Sequence, residues 1–76
     1  MADKTKTQLI QSLTDIANKK GCVPINDVFI EDNGVSYQLI DLTTDDGEVG
    51  VTLRDWFYPL AELTKKELIS IYKAVR

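Results

Sequence analysis

The chain contains no histidine and a single cysteine, Cys22. Histidine is the commonest general base and the commonest metal ligand, so its absence removes most familiar catalytic and metal-binding sites. No nucleophile set, metal cluster or phosphate loop replaces it, and we expect a protein that is not an enzyme and binds no cofactor; a carboxylate- or hydroxyl-based site is the alternative. The single cysteine forms no intrachain disulfide, which in a small chain favours a reducing compartment.

Long apolar runs are also missing. No segment approaches the roughly 20 apolar residues of a membrane-spanning helix. The N-terminal residues 1–6 lead into an amphipathic segment and not into the apolar stretch of a signal peptide. We therefore expect a cytoplasmic protein without a membrane partner.

The composition is that of a small globular domain. The chain has 76 residues, of which 43% are hydrophobic and 28% charged, and glycine and proline are sparse. Such a chain buries roughly 60% of its unfolded surface, so its core is thin. We expect residues 1–76 to form one domain, alone or as a small oligomer.

Two capping boxes indicate where helices begin. In each, a threonine hydroxyl accepts from the amide three residues on, and the Gln or Glu there reaches back. Apolar residues follow both boxes at helical spacing. The boxes are Thr5 to Gln8 and Thr64 to Glu67, and the predicted helices are 6–20, closed by Gly21, and 65–75.

Two hairpin turns, Asn33-Gly34 and Asp45-Asp46-Gly47, lie between the helices. They separate three predicted strands, at about 27–32, 35–44 and 48–55. The predicted fold class is therefore α+β, a two-layer α-β-β-β-α domain with a three-stranded antiparallel meander and two flanking helices.

The loop length of the second hairpin decides which side chains face the core. A two-residue Asp46-Gly47 loop would place Leu42 opposite Val51, whereas a three-residue loop with Gly47 in a bulge would place Asp41 opposite Val51. We prefer the three-residue loop because it puts the apolar residues of all three strands on one continuous face.

That register leaves Phe29, Ile40 and Leu42 on the opposite face of the sheet. If exposed, they form an apolar cluster suited to a protein partner or to a homodimer. The alternative, of equal weight, is a bulge near Leu39-Ile40 that turns the second half of the strand inward.

Aromatic residues are concentrated in one segment, Trp56-Phe57-Tyr58-Pro59. The first interpretation is a plug that closes the core between the third strand and the last helix. The second is a partner-facing anchor, because Trp and Tyr dominate interface energetics. Trp56 and Tyr58 therefore join Phe29, Ile40 and Leu42 as candidate partner-binding residues.

The net charge of −3 hides a segregation along the chain. Residues 21–63 carry nine acidic residues and one basic residue, a net charge of −8, while residues 1–20 and 64–76 carry +2 and +3. The acidic residues can simply be solvated, or they can match a basic partner. Those around the second turn do not follow the ligand order of a calcium-binding loop, and we expect no metal.

The helix, three-strand, helix order resembles that of the double-stranded RNA-binding domain. Thr64-Lys65-Lys66 stands where that family places lysines that reach phosphates across the major groove. The resemblance implies that Lys65 and Lys66 bind nucleic acid. The tight Asn33-Gly34 turn lacks that family's basic insertion, Trp56 to Leu60 replaces its glycine-rich segment, and a pI near 4.7 disfavours phosphate.

Together these features favour a non-catalytic protein-interaction or regulatory module. Its expected partner is another protein or a second copy of the chain in a homodimer. Binding of double-stranded RNA or another nucleic acid is the alternative.

Overall fold

The computed structural model describes residues 4–76, which form two helices with six strands between them in the sequence. The elements are α1 (Lys6–Lys20), β1 (Val23–Pro24), β2 (Phe29–Asp32), β3 (Val35–Gln38), β4 (Asp41–Asp45), β5 (Glu48–Leu53), β6 (Trp56–Pro59), a 3-10 turn (Leu60–Glu62) and α2 (Lys65–Val75). The predicted α+β class is confirmed, with a helix towards each end of the chain.

Both helices begin at the predicted capping boxes. The Thr5 hydroxyl accepts from the Gln8 amide at 3.2 Å, and the Gln8 side chain accepts from the Thr5 amide at 2.9 Å. Thr64 and Glu67 make the same pair of bonds, at 3.2 and 2.8 Å. These local bonds satisfy amides that the first helical turn leaves unpaired. Because both partners are close in sequence, the helix starts could be predicted from the sequence.

The strands form two sheets instead of the predicted three-stranded meander. A four-stranded antiparallel sheet has the order β1-β4-β5-β6, and β2 pairs only with β3. The predicted strand 35–44 is interrupted at Leu39-Ile40. The Leu39 amide still donates to Val28 of the first hairpin, at 2.9 Å, but the Ile40 amide donates to Thr52 of the larger sheet, at 2.8 Å. The chain therefore passes from one sheet to the other between these two residues.

The second hairpin has the two-residue Asp46-Gly47 turn, so the preference for a three-residue loop was wrong. Asp45 pairs with Glu48, and Leu42 pairs with Val51. The physical reason is the interruption at Leu39-Ile40, which shifts the inward-outward alternation by one residue. Leu39 and Leu42 consequently both point into the core, which one uninterrupted strand would not allow.

The core lies between the four-stranded sheet and the helices. Val23, Leu42, Val51 and Tyr58 are successive partners across the sheet and share its inner face. Helix α1 packs on β4 and β5 and against α2. The helices contribute the buried side chains of Leu9, Leu13, Ala17, Leu68, Ile71 and Val75.

Strand β6 was not predicted as a strand, and one glycine permits its position. A Cβ atom on Gly50 of β5 would lie 2.7 Å from the Phe57 ring and would also collide with the Tyr58 carbonyl. Gly50 therefore lets β6 approach β5 closely, with Phe57 on the outer sheet face and Trp56 and Tyr58 on the inner one.

Candidate functional site: an aromatic groove beside strand β6

A groove of about 330 Å³ opens between the β2–β3 hairpin and β6. We call it the aromatic groove. Its lining consists of the aromatic residues Tyr37, Trp56, Phe57 and Tyr58, the buried Leu53, and the exposed acids Asp32 and Glu62. The Phe57 ring packs over Gly50 on the other sheet face, so the rings that matter here are those of Tyr37, Trp56 and Tyr58.

Strand pairing brings these rings together. Trp56 and Tyr58 are two residues apart on β6, so both side chains lie on the inner face of the sheet. Tyr37 pairs with the buried Ile30 on the first hairpin and faces the same way as that core residue. The groove is therefore the junction at which the inner faces of the two sheets meet.

Two side-chain contacts span this junction. The Tyr37 and Trp56 rings meet edge to face, with centroids 6.0 Å apart and planes at 80°. The Tyr58 hydroxyl donates a hydrogen bond to Asp32 Oδ2 at 3.2 Å. Because β6 and the hairpin share no strand pairing, these contacts fix the relative positions of the groove walls.

The groove has a negative potential at the Tyr58 end. The Asp32 charge, together with partial desolvation and the more remote Glu62 and Glu67, raises the pKa of the Tyr58 hydroxyl above its usual 10.0. The same field that keeps this phenol protonated attracts positive charge. No lysine or arginine is among the residues that line the groove.

The negative region continues into a second depression of about 210 Å³. It shares Asp32, Tyr58 and Glu62 with the aromatic groove and adds Glu31 and Glu67. We call its four acids, Glu31, Asp32, Glu62 and Glu67, the acidic shoulder. The Glu67 carboxylate is engaged in the capping box of α2, which holds this side of the shoulder in place.

The predicted apolar cluster does not exist as one surface. Leu42 has 0% exposure, so its side chain belongs to the core and cannot contact a partner. Phe29 and Ile40 are 57% and 48% exposed, so two of the three predicted residues are at the surface. Phe29 is opposite Gln38, on the hairpin face that turns away from Tyr37, whereas Ile40 lines a shallow depression with Val35.

Trp56 and Tyr58 are the predicted residues that the structure does bring together. Trp56 is 60% exposed, so the interpretation of this segment as a core plug was wrong for Trp56, whereas Tyr58 packs against the core. Tyr58 is half-buried in the groove. Sequence reasoning missed Asp32, Tyr37 and Glu62 as their neighbours, although the correctly predicted pairing of Ile30 with Tyr37 was a signal for part of this arrangement.

Lys65 and Lys66 are exposed in the first turn of α2. They follow Thr64 and precede Glu67, both of which line the depression that holds the acidic shoulder. The nearby carboxylates oppose the approach of phosphate groups to these two lysines.

The outer sheet face carries one further polar pair. The Cys22 thiol is exposed and donates to Asp41 Oδ2 at 3.1 Å. This hydrogen bond, with smaller contributions from desolvation and the Asp41 charge, raises the pKa of Cys22 above its usual 9.0. The thiolate is thereby disfavoured, which is the opposite of what a reactive cysteine requires.

Within residues 4–76, no three His, Cys, Asp or Glu side chains are grouped so that they could hold a metal ion. Nor does either described helix combine the length and apolarity needed to cross a membrane. No protein-family model, curated protein or solved structure matches this chain.

Proposed function

We propose that this protein is a non-catalytic interaction module that binds a segment of a protein partner in the aromatic groove. The observation that carries the proposal is Trp56, which is 60% exposed yet held edge to face against Tyr37 at the mouth of a defined groove. A large aromatic side chain that is covered only on binding is the usual anchor of a protein interface.

The groove is already ordered before a partner binds. Tyr37 fixes Trp56, and the hydrogen bond to Asp32 fixes Tyr58. Side chains that are held in place lose little conformational freedom on association, so more of the contact energy appears as affinity. This order distinguishes the groove from Phe29, which is equally exposed but is opposite a polar residue on a free hairpin face.

The size of the groove indicates what it accepts. A volume of about 330 Å³ accommodates one or two side chains and is too small for the apolar face of a helix. We therefore propose that the bound segment is a short peptide stretch, with one side chain inserted between the rings of Trp56, Tyr37 and Tyr58.

The test is selection of binders from a random peptide library, followed by affinity measurements on the selected peptides. We expect Trp56→Ala to weaken them at least about tenfold, as for a central interface aromatic. Phe29→Ala is the matched control, since it removes an equally exposed aromatic ring outside the groove and should leave the affinity unchanged. Circular dichroism verifies that both variants are folded.

Two outcomes would overturn this proposal: peptides that bind Trp56→Ala as tightly as the wild type, or a library that yields no binder. The nucleic-acid alternative has its own test, because Lys65→Glu combined with Lys66→Glu should abolish any binding to a short RNA duplex. If Trp56→Ala weakens peptide binding and the double lysine variant abolishes duplex binding, the protein has both a peptide-binding and a nucleic-acid-binding surface.

A further inference from the structure

We infer that the side chain inserted into the aromatic groove is a cation, an arginine or lysine from a basic segment of the partner. This inference rests on the proposed function and specifies the chemistry of its ligand. It combines two independent features of the site, the arrangement of the aromatic rings and the distribution of charge around them.

The rings supply the first feature. The Tyr37 and Trp56 rings meet edge to face at 80°, Tyr58 lies two residues along the same strand face as Trp56, and all three line the groove. The face of an aromatic ring carries a negative quadrupole that attracts ammonium and guanidinium groups, most strongly in tryptophan. Several rings around one small volume therefore favour a cation over a neutral side chain of similar size.

The carboxylates supply the second feature. Asp32 and Glu62 line the groove itself, and the acidic shoulder continues the negative surface to Glu31 and Glu67. Neither depression has a lysine or arginine in its lining. Asp32 accepts one hydrogen bond, from Tyr58, and a carboxylate has further lone pairs with which to accept one from a ligand.

Charge also argues for a partner and against a second copy of the chain. In a two-fold dimer the same patch of each copy meets its counterpart, so this groove would place the acidic shoulder of one copy near that of the other. Such like-charge contact opposes association. A basic segment of a different protein has the complementary charge, with one side chain in the groove and neighbouring basic residues over the shoulder.

Arginine suits the geometry better than lysine in one respect. Its planar guanidinium stacks on a ring face while its N–H groups remain free to donate to a carboxylate. Lysine can make the cation contact and a single charged hydrogen bond. We therefore expect both residues among the ligands, with arginine favoured.

The experiment uses the peptides selected from the random library, resynthesised in matched pairs. In each pair the anchoring arginine is replaced by citrulline, or the lysine by acetyl-lysine, which keeps most of the shape and removes the charge. Trp56 is the only tryptophan of the chain, so its fluorescence reports binding at the groove directly. We expect the charged peptide to bind at least about tenfold more tightly than its neutral partner.

Variants of the protein test which carboxylates strengthen the binding of the charged peptide. Glu62→Gln should weaken the charged peptide several-fold and leave the neutral one unchanged. Asp32→Asn, which also alters the bond to Tyr58, should weaken the charged peptide more than the neutral one, and added salt should narrow the difference between the two peptides. Asp45→Asn is the matched control, because it removes one exposed acid at the β4–β5 turn, away from the groove.

The outcomes separate this inference from the proposed function. Selected peptides that depend on Trp56 but bind equally well in their neutral forms would overturn the inference that the inserted side chain is a cation. They would still support the proposed interaction module. Peptides that bind without regard to Trp56 would overturn both. Light scattering that shows a dimer, dissociated by Trp56→Ala, would make a second copy the occupant and also overturn the inference.

Discussion

At the scale of single residues, Tyr58 and Asp32 connect the two walls of the aromatic groove, β6 and the β2–β3 hairpin. Tyr58 belongs to the edge strand of the four-stranded sheet and Asp32 to the first hairpin, and their hydrogen bond joins elements that share no strand pairing. The bond also orients the phenol in the groove. This pair therefore contributes to both the geometry and the negative potential of the aromatic groove.

The first prediction concerns the titration of Tyr58. Because Asp32 raises its pKa, Tyr58 should titrate above pH 10.0, and Asp32→Asn should lower its pKa towards that value. The native state holds this proton more tightly than the unfolded chain does. The resulting contribution to stability is complete below pH 10.0 and is lost as the pH rises through the folded-state pKa.

NMR of the tyrosine ring carbons measures this titration, and Tyr58→Phe identifies the resonance. Tyr72→Phe, which removes a hydroxyl from α2 outside the groove, is the control. A Tyr58 pKa that is unchanged in Asp32→Asn would contradict the claim that the Asp32 charge raises it.

The second prediction concerns Leu42, which lies in the core and not in an exposed apolar cluster. With 0% exposure, Leu42→Ala should lower the free energy of unfolding by about 2–5 kcal/mol. Leu42→Asp should unfold the protein, since a buried unpaired carboxylate is costlier still. Ile40→Ala, at a half-exposed position two residues away, should change stability by less than about 1 kcal/mol.

Urea denaturation followed by circular dichroism measures these differences. A folded Leu42→Asp variant that merely changes its oligomeric state would instead restore Leu42 to the surface and contradict the register of the β4–β5 hairpin.

At the scale of elements, the position of β6 is the feature that creates the groove. Residues 54–55 turn the chain, and Arg54 has a positive φ of 44° there. The following strand then runs back along β5, from Leu53 opposite Trp56 to Gly50 opposite Pro59. This pairing places Trp56 and Tyr58 on the face where the first hairpin lies.

The third prediction tests the close approach of β5 and β6. Gly50→Ala puts a methyl group against the Phe57 ring and the Tyr58 carbonyl, so β6 has to shift. We expect a loss of about 1–3 kcal/mol in stability from this overpacking. We also expect faster amide exchange in β6 and weaker peptide binding, because Tyr58 moves with its strand.

Gly47→Ala is the control for backbone strain without a steric contact. Gly47 lies in the β4–β5 turn, has a φ of 79° and has no atom within 4 Å of the added methyl group, so the variant is destabilised but β6 stays in place. Its peptide affinity should equal that of the wild type. A Gly50→Ala variant with unchanged affinity would show that the groove does not depend on the β5–β6 spacing.

Local signals in the sequence predicted the elements well, whereas the partners of the strands depended on contacts that such signals do not contain. The helix starts follow from hydrogen bonds within three residues, and Asn33-Gly34 adopts the predicted two-residue turn. The interruption at Leu39-Ile40 is different. It arises because Ile40 bonds to Thr52 and Ile25, which are distant in sequence, and no residue type marks it.

For the same reason, only part of the candidate site was predicted. Trp56 and Tyr58 stand out by residue type, and their shared face follows from strand periodicity once β6 is known. Tyr37 and Asp32 reach them only through the packing of the first hairpin against the larger sheet. Two alternatives of equal weight were open for Leu42, and the structure agrees with the one in which the strand turns inward at Leu39-Ile40.

At the scale of the whole molecule, the acidic residues that are concentrated in the middle of the sequence lie mainly on the strands and turns. The acidic middle of the chain, with its net charge of −8, builds the strands and turns and includes three of the four acids of the acidic shoulder. The fourth, Glu67, comes from the start of α2. A partner with a basic segment would be steered towards this side of the molecule, and its association rate should fall with ionic strength.

The measurement that tests the central claim most directly is chemical-shift mapping of the amide and indole N–H resonances during titration with a selected peptide. The account predicts that the Trp56 indole and the amides around Asp32, Tyr37, Tyr58 and Glu62 change most, while those of β1 and the exposed face of α1 do not. Shifts centred on the first turn of α2, on Phe29 or on the outer sheet face, with the Trp56 indole unmoved, would contradict it.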